Sequence, residues 1–169
     1  MATATAIPVI TITRVLNASR ERVFAAWTDP AFMNQWFAPS AAFHVTAQTD
    51  LRIGGSFAVE MAWKSEGTLH TAVGTYLELN PPEKIVMSWD WKESDPIDPA
   101  KGSTVTVALR DLGSNRTELT LTHAMIDSES SRRGHQQGWT GSTNRLARIF
   151  DPQAEQLPIP GPKPAWQVN

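Results

Sequence analysis

Period-two alternation dominates the middle of the chain. Phe57, Val59, Met61 and Trp63 alternate with Ala58, Glu60, Ala62 and Lys64, and Ile85, Met87, Trp89 and Trp91 alternate with Val86, Ser88 and Asp90. This pattern predicts half-buried strands whose successive side chains point to opposite faces. The same reading gives strands over 9–16, through Phe43, Val45 and Ala47, over about 69–79, along Val105, Val107 and Leu109, and along Leu119, Leu121, His123 and Met125. Gly74 marks a bulge or bend in the long 69–79 strand. Ser65-Glu66-Gly67 and Gly113-Ser114-Asn115 read as turns, Asn80-Pro81-Pro82-Glu83 as a break, and Lys92–Gly102 as an exposed hairpin loop. Connections this short predict an antiparallel sheet of seven strands.

The period changes near the C-terminus. Trp139, Thr143, Leu146 and Phe150 recur at helical steps, which predicts one long helix over 131–150. Ser130 or Ser131 can cap it, and Asp151-Pro152 ends it. Two short helices are expected after the first strand. Ser19 caps one carrying Val23, Phe24 and Trp27; Asp29-Pro30 opens another carrying Phe32, Met33, Trp36 and Phe37. An antiparallel sheet with one buried face needs a cover, and the long helix supplies it. Gly134, Gly138 and Gly141 interrupt that helix at about 1 kcal/mol each relative to alanine. They mark either a loosely optimised helix or room left for a close sheet or a ligand.

The domain is expected over 8–151, after a disordered 1–7 and before a proline-rich tail over 152–169. That tail either lies extended over the domain, reaches a partner subunit through Trp166 as in a homodimer, or moves freely. With 169 residues, the chain is long enough for one domain with its own core. The net charge is −2, from 15 basic and 17 acidic residues with no basic stripe, which speaks against nucleic-acid binding. There is no cysteine, no leader-like N-terminus and no apolar run long enough to span a membrane, so a cytoplasmic protein is expected. Seven tryptophans against one tyrosine suit a core, an interface or a ligand cavity wall.

Ile12-Thr13-Arg14, Ala26-Trp27-Thr28-Asp29-Pro30, Trp36-Phe37-Ala38-Pro39, Gly74-Thr75-Tyr76-Leu77-Glu78-Leu79, Pro81-Pro82-Glu83-Lys84-Ile85-Val86 and Gly138-Trp139 occur in this order. Together they resemble the proteins related to the activator of the Hsp90 ATPase, within the START/Bet v 1-like (SRPBCC) superfamily. The resemblance implies a helix-grip α+β fold, with a sheet wrapped round the C-terminal helix and often a cavity between them. It leaves function open among carriers, sensors, cyclases and chaperone modulators.

Strand parity nominates Met61, Trp63, Met87, Trp89, Trp91, Val107, Leu109, Leu121, His123 and Met125 as cavity-lining residues, with Trp139 and Thr143 from the helix. The alternative is that these side chains simply fill a core. The expected ligand is a small hydrophobic or aromatic molecule held by a carrier or sensor. The rivals are a cyclase- or hydratase-like enzyme using His123 or Arg14, and a chaperone-associated module. His123 interrupts an apolar row, and Arg14 shares parity with Ile12. Arg14 is expected to pair with an acid such as Glu21 or Asp29, or else to hold a ligand carboxylate. The histidines at 44, 70, 123 and 135 lack metal-ligand spacing, and no cofactor fingerprint occurs, so no metal or cofactor is expected.

Overall fold

A computed structural model describes residues 8–92 and 100–167. The expected disorder at 1–7, and most of the loop expected at 92–102, lie outside the described residues. In chain order the elements are β1 (Ile10–Leu16), α1 (Arg20–Thr28), α2 (Pro30–Met33), β2 (Phe43–Thr49), β3 (Ser56–Trp63), β4 (Leu69–Asn80), β5 (Lys84–Trp91), β6 (Ser103–Gly113), β7 (Arg116–Ala124) and α3 (Glu129–Phe150). The strands form one antiparallel sheet in the order β1-β7-β6-β5-β4-β3-β2. Each strand from β2 to β6 pairs with its successor. β1 pairs instead with β7, setting Ile10 opposite His123 and Leu16 opposite Thr117. Consecutive strands β1 and β2 are therefore the two edges of the sheet, and α1 and α2 carry the chain between them.

Local chemistry accounts for these helices. Ser19 Oγ accepts from the Arg22 amide at 3.3 Å to start α1, and Asp29 Oδ1 accepts from the Ala31 amide at 3.1 Å to start α2. α2 is shorter than expected, and Trp36 and Phe37 lie in the turns that follow it. α3 begins earlier than expected. Ser128 is the cap, its hydroxyl accepting from the Ser131 amide at 3.2 Å, and Glu129 puts negative charge in the first turn.

In β1, Ile10, Ile12, Arg14 and Leu16 turn inward and Val15 stays exposed. In β4 the register shifts between Tyr76 and Glu78 rather than at Gly74. Gly74 serves a close approach, since a Cβ there would overlap the Ser88 carbonyl and the Phe57 ring. The concave face is filled unevenly. α1 packs against β6 and β7, while α3 packs against β1. Trp27 and Trp36 are both fully buried, with ring centroids 4.7 Å apart in an edge-to-face contact. Trp36 Nε1 donates to the Ala26 carbonyl at 2.9 Å. Arg145 of α3 ties down the end of the α2 segment, donating to the carbonyls of Ala38 at 3.1 Å and Ser40 at 3.2 Å.

Beyond α3 the chain turns back along it. Asn144 Nδ2 donates to the Leu157 carbonyl and Asn144 Oδ1 accepts from the Leu157 amide, both at 2.9 Å. Gln137 Nε2 donates to the carbonyls of Pro160 at 2.7 Å and Pro162 at 2.9 Å. Trp166 packs half-buried against the core. The arrangement matches the first of the three expected for this tail.

Candidate ligand-binding cavity

Where α1 does not reach, between α3 and strands β3 to β5, a cavity of about 330 Å³ remains. Phe43, Met61, Trp63, Trp89 and Trp91 line it from the sheet, and Phe37 and Pro39 from the connection between α2 and β2. One side of α3 contributes Ser131, Gly134, His135, Gly138, Trp139 and Ser142. These residues sit three and four apart along the helix, so they form a single stripe. A Cβ on Gly134 or Gly138 would meet nothing within 4 Å. Gly141, one turn on, is different: a Cβ there would overlap the backbone of Pro39.

Three tryptophan–histidine pairs hold the wall. Trp63 Nε1 donates to His70 Nε2 at 3.1 Å, Trp91 Nε1 to His135 Nε2 at 2.9 Å, and Trp139 Nε1 to His123 Nδ1 at 3.0 Å. An imidazole nitrogen that accepts carries no proton, so each bond selects a tautomer. His123 therefore bears its proton on Nε2 and donates to Ser103 Oγ at 2.9 Å, and that hydroxyl donates to the Trp89 carbonyl at 2.8 Å. His135 bears its proton on Nδ1 and donates to the Ser131 carbonyl at 2.7 Å. Burial, reinforced by the neighbouring His135, pushes the His123 pKa down to about 3. The pairs lock ring orientations and consume the indole donors of Trp63, Trp91 and Trp139, whereas Trp89 Nε1 is buried without a hydrogen-bond partner.

Five of the twelve nominated residues line the cavity: Met61, Trp63, Trp89, Trp91 and Trp139. Met87, Val107, Leu109, Leu121 and Thr143 are buried but do not line it. Val107, Leu109 and Leu121 have inward strand parity, yet α1 covers the β6–β7 side of the sheet. Met125 corrects the parity argument outright. β7 ends at Ala124, Met125 takes a φ of 69°, and its side chain is 57% exposed. A left-handed residue turns the chain, so alternation stops applying there.

His123 and Arg14, the residues named for the rival enzyme reading, are not among the lining residues. His123 is buried behind Trp139, outside the cavity lining, with both ring nitrogens engaged. Arg14 borders a separate cleft with Asn17, Arg116 and Asp151. Its guanidinium donates to Asn144 Oδ1 and, at 2.6 Å, to the Glu155 carbonyl. Burial lowers its pKa, with the charge of Glu155 acting in the opposite direction. The acid that bears on Arg14 thus comes from the tail, replacing the expected Glu21 or Asp29.

Among the other lining residues, two histidines carry a signal in the sequence. His135 lies four residues before Trp139, on the same stripe. His70 shares parity with Ala72 and Tyr76, whose burial shows that face to be the inner one. Tyr76 itself sits in the core, where burial raises its phenol pKa to about 12. Among the described residues, no group of three histidine, aspartate or glutamate side chains converges as a metal site, and no helix is long and apolar enough to cross a membrane.

A seven-stranded antiparallel sheet curled round a C-terminal helix, with two short helices linking its edges, defines the helix-grip α+β class. Residues 17–151 match the family described as Activator of Hsp90 ATPase homolog 1-like protein, and the chain belongs to that family. Its solved structural neighbours include a protein from Chromobacterium violaceum, 27% identical, with a TM-score of 0.70 over 86% of this chain and 98% of that one. An AHSA1 protein from Silicibacter pomeroyi shares the fold at 24% identity, with a TM-score of 0.71 over 87% of this chain and 100% of that one. An HSP90 activator from Plasmodium falciparum is 28% identical, with a TM-score of 0.60 over 83% of this chain and 92% of that one. No curated protein matches the chain by sequence.

Proposed function

We propose that the chain binds a small, uncharged aromatic or similarly hydrophobic molecule between sheet and α3, as a carrier or sensor. The observation that carries this reading is the cavity of about 330 Å³ walled by Trp63, Trp89, Trp91 and Trp139. A dry cavity of roughly 150 Å³ accepts one benzene, so two fused rings are a better match than a full-length lipid. No charged side chain occurs among the described lining residues. A carboxylate or ammonium would enter without a counter-charge and lose its hydration.

Titrating the protein with 2-naphthol while following tryptophan emission tests the reading. A saturable one-site change is expected, with 2-naphthoate binding at least about tenfold more weakly because it is ionised at neutral pH. A flat response to both compounds removes the proposal. The likeness to the Plasmodium HSP90 activator supports a second reading, in which the exterior contacts a chaperone ATPase. Adding the protein to a purified Hsp90 and measuring ATP turnover decides that reading: stimulation supports it, and an unchanged rate at saturating protein rejects it.

A further inference from the structure

The C-terminal strap, residues 152–167, lies beyond the residues matched to the family. It is nevertheless seated by side chains of the domain itself. Gln137, Asn144 and Arg14 are each under a tenth exposed, and all three direct hydrogen bonds to strap backbone. Gly161 adopts a φ of 76°, a left-handed turn that glycine takes without strain, next to the Gln137 amide. Past this turn the strap delivers Trp166 to the cavity wall.

On the far side of Trp166 runs a surface groove of about 750 Å³, with Ile149, Leu157 and Ile159 among its walls. Pro39 and Trp166 are the two residues that line both spaces. Pro39 is fixed from behind by Gly141, but Trp166 is held only through its strap and its packing.

We infer that Trp166 is the end wall of the aromatic cavity and sets the longest ligand it accepts. The inference rests on the binding reading above. The wild-type protein takes a compact ring system, whereas removing the indole joins cavity to groove and admits a ring bearing an alkyl chain. Trp166 is thus a specificity-determining residue supplied from outside the family-matched region.

The test compares wild type with Trp166→Ala, using dimethylaminonaphthalene dyes that carry either a propionyl or a lauroyl group. Wild type is expected to prefer the propionyl dye by about tenfold, and Trp166→Ala to lose that preference by tightening on the lauroyl dye. An unchanged preference in a folded variant overturns the assignment. Acrylamide quenching of the remaining tryptophans gives a readout that needs no ligand. Quenching is expected to rise about twofold in Trp166→Ala, and to rise by less in Gln137→Ala, where the strap is loosened but the indole kept. If neither dye binds wild type, the binding reading fails, and the quenching experiment alone decides whether Trp166 is the wall. Equal quenching in all three proteins overturns it.

Discussion

The two ends of α3 use small residues for opposite ends. Toward its start, Gly134 and Gly138 border open space, and the stripe they share with His135 and Trp139 faces the cavity. Toward its end the helix is packed: Gly141 lies against Pro39, and Leu146 and Ala147 are buried. Helix propensity penalises each glycine by about the same amount. At Gly141 the penalty is offset by close approach of two backbones. At Gly134 and Gly138 nothing in the packing offsets it, and what the missing methyl groups leave is volume. A helix interrupted by glycine can therefore be tight or hollow, and only its neighbours tell which.

This contrast can be broken most forcefully at the packed end. Leu146→Ala should cost about 3 kcal/mol, because a fully buried side chain is deleted where little can collapse into the gap. Denaturant unfolding measures it, and a loss under 1 kcal/mol would mean that this end is not tightly filled. Gly141→Ala comes next. Despite better helix propensity it should destabilise by about 2 kcal/mol, since the new methyl group must displace the Pro39 backbone.

Acid probes the support behind Trp139. His123 titrates at about 3 when folded and near its ordinary 6.5 when unfolded, so on acidification the unfolded chain takes up the proton first. Its contribution is fully present above pH 6.5 and declines by about 1.4 kcal/mol per pH unit as pH falls toward 3. Stability curves for wild type and His123→Leu should differ in slope by that amount between pH 6 and pH 5; parallel curves refute the buried neutral ring. The smallest effect is Gly138→Ala, which should stabilise by about 0.7 kcal/mol while weakening 2-naphthol binding. A destabilised Gly138→Ala would show that the cavity end, too, is packed.

Much of this architecture could be read from side-chain pattern. Alternating rows such as Phe57, Val59, Met61 and Trp63 carry a period that only a strand satisfies, whereas Val9 and Val15 oppose Ile10, Ile12 and Leu16 in the first strand, so the pattern alone does not fix which face takes Arg14. What escaped depends on things a pattern does not encode. Parity says that Val107 and Leu121 point inward, but not that α1 has already covered them. It also runs past the end of a strand without warning, as at Met125. His135 has no metal-ligand spacing, and its relation to the cavity lies in the four-residue step to Trp139. The docking of the tail was hidden for another reason. Its acceptors are backbone carbonyls of Leu157, Pro160 and Pro162, and main-chain groups have no residue signature.

The strand order carries a consequence for how the molecule comes together. Strands β2 to β7 can zip as successive local hairpins, but β1 must wait for β7, some hundred residues later, before its hydrogen bonds have partners. Closing so long a loop is slow and forms part of the barrier rather than a detail after it. Within this sheet, the strand made first is thus the one whose pairing completes last. Until then Ile10, Ile12 and Leu16 present an unpaired, sticky edge, and a chain cut short before Arg116 would keep that edge permanently.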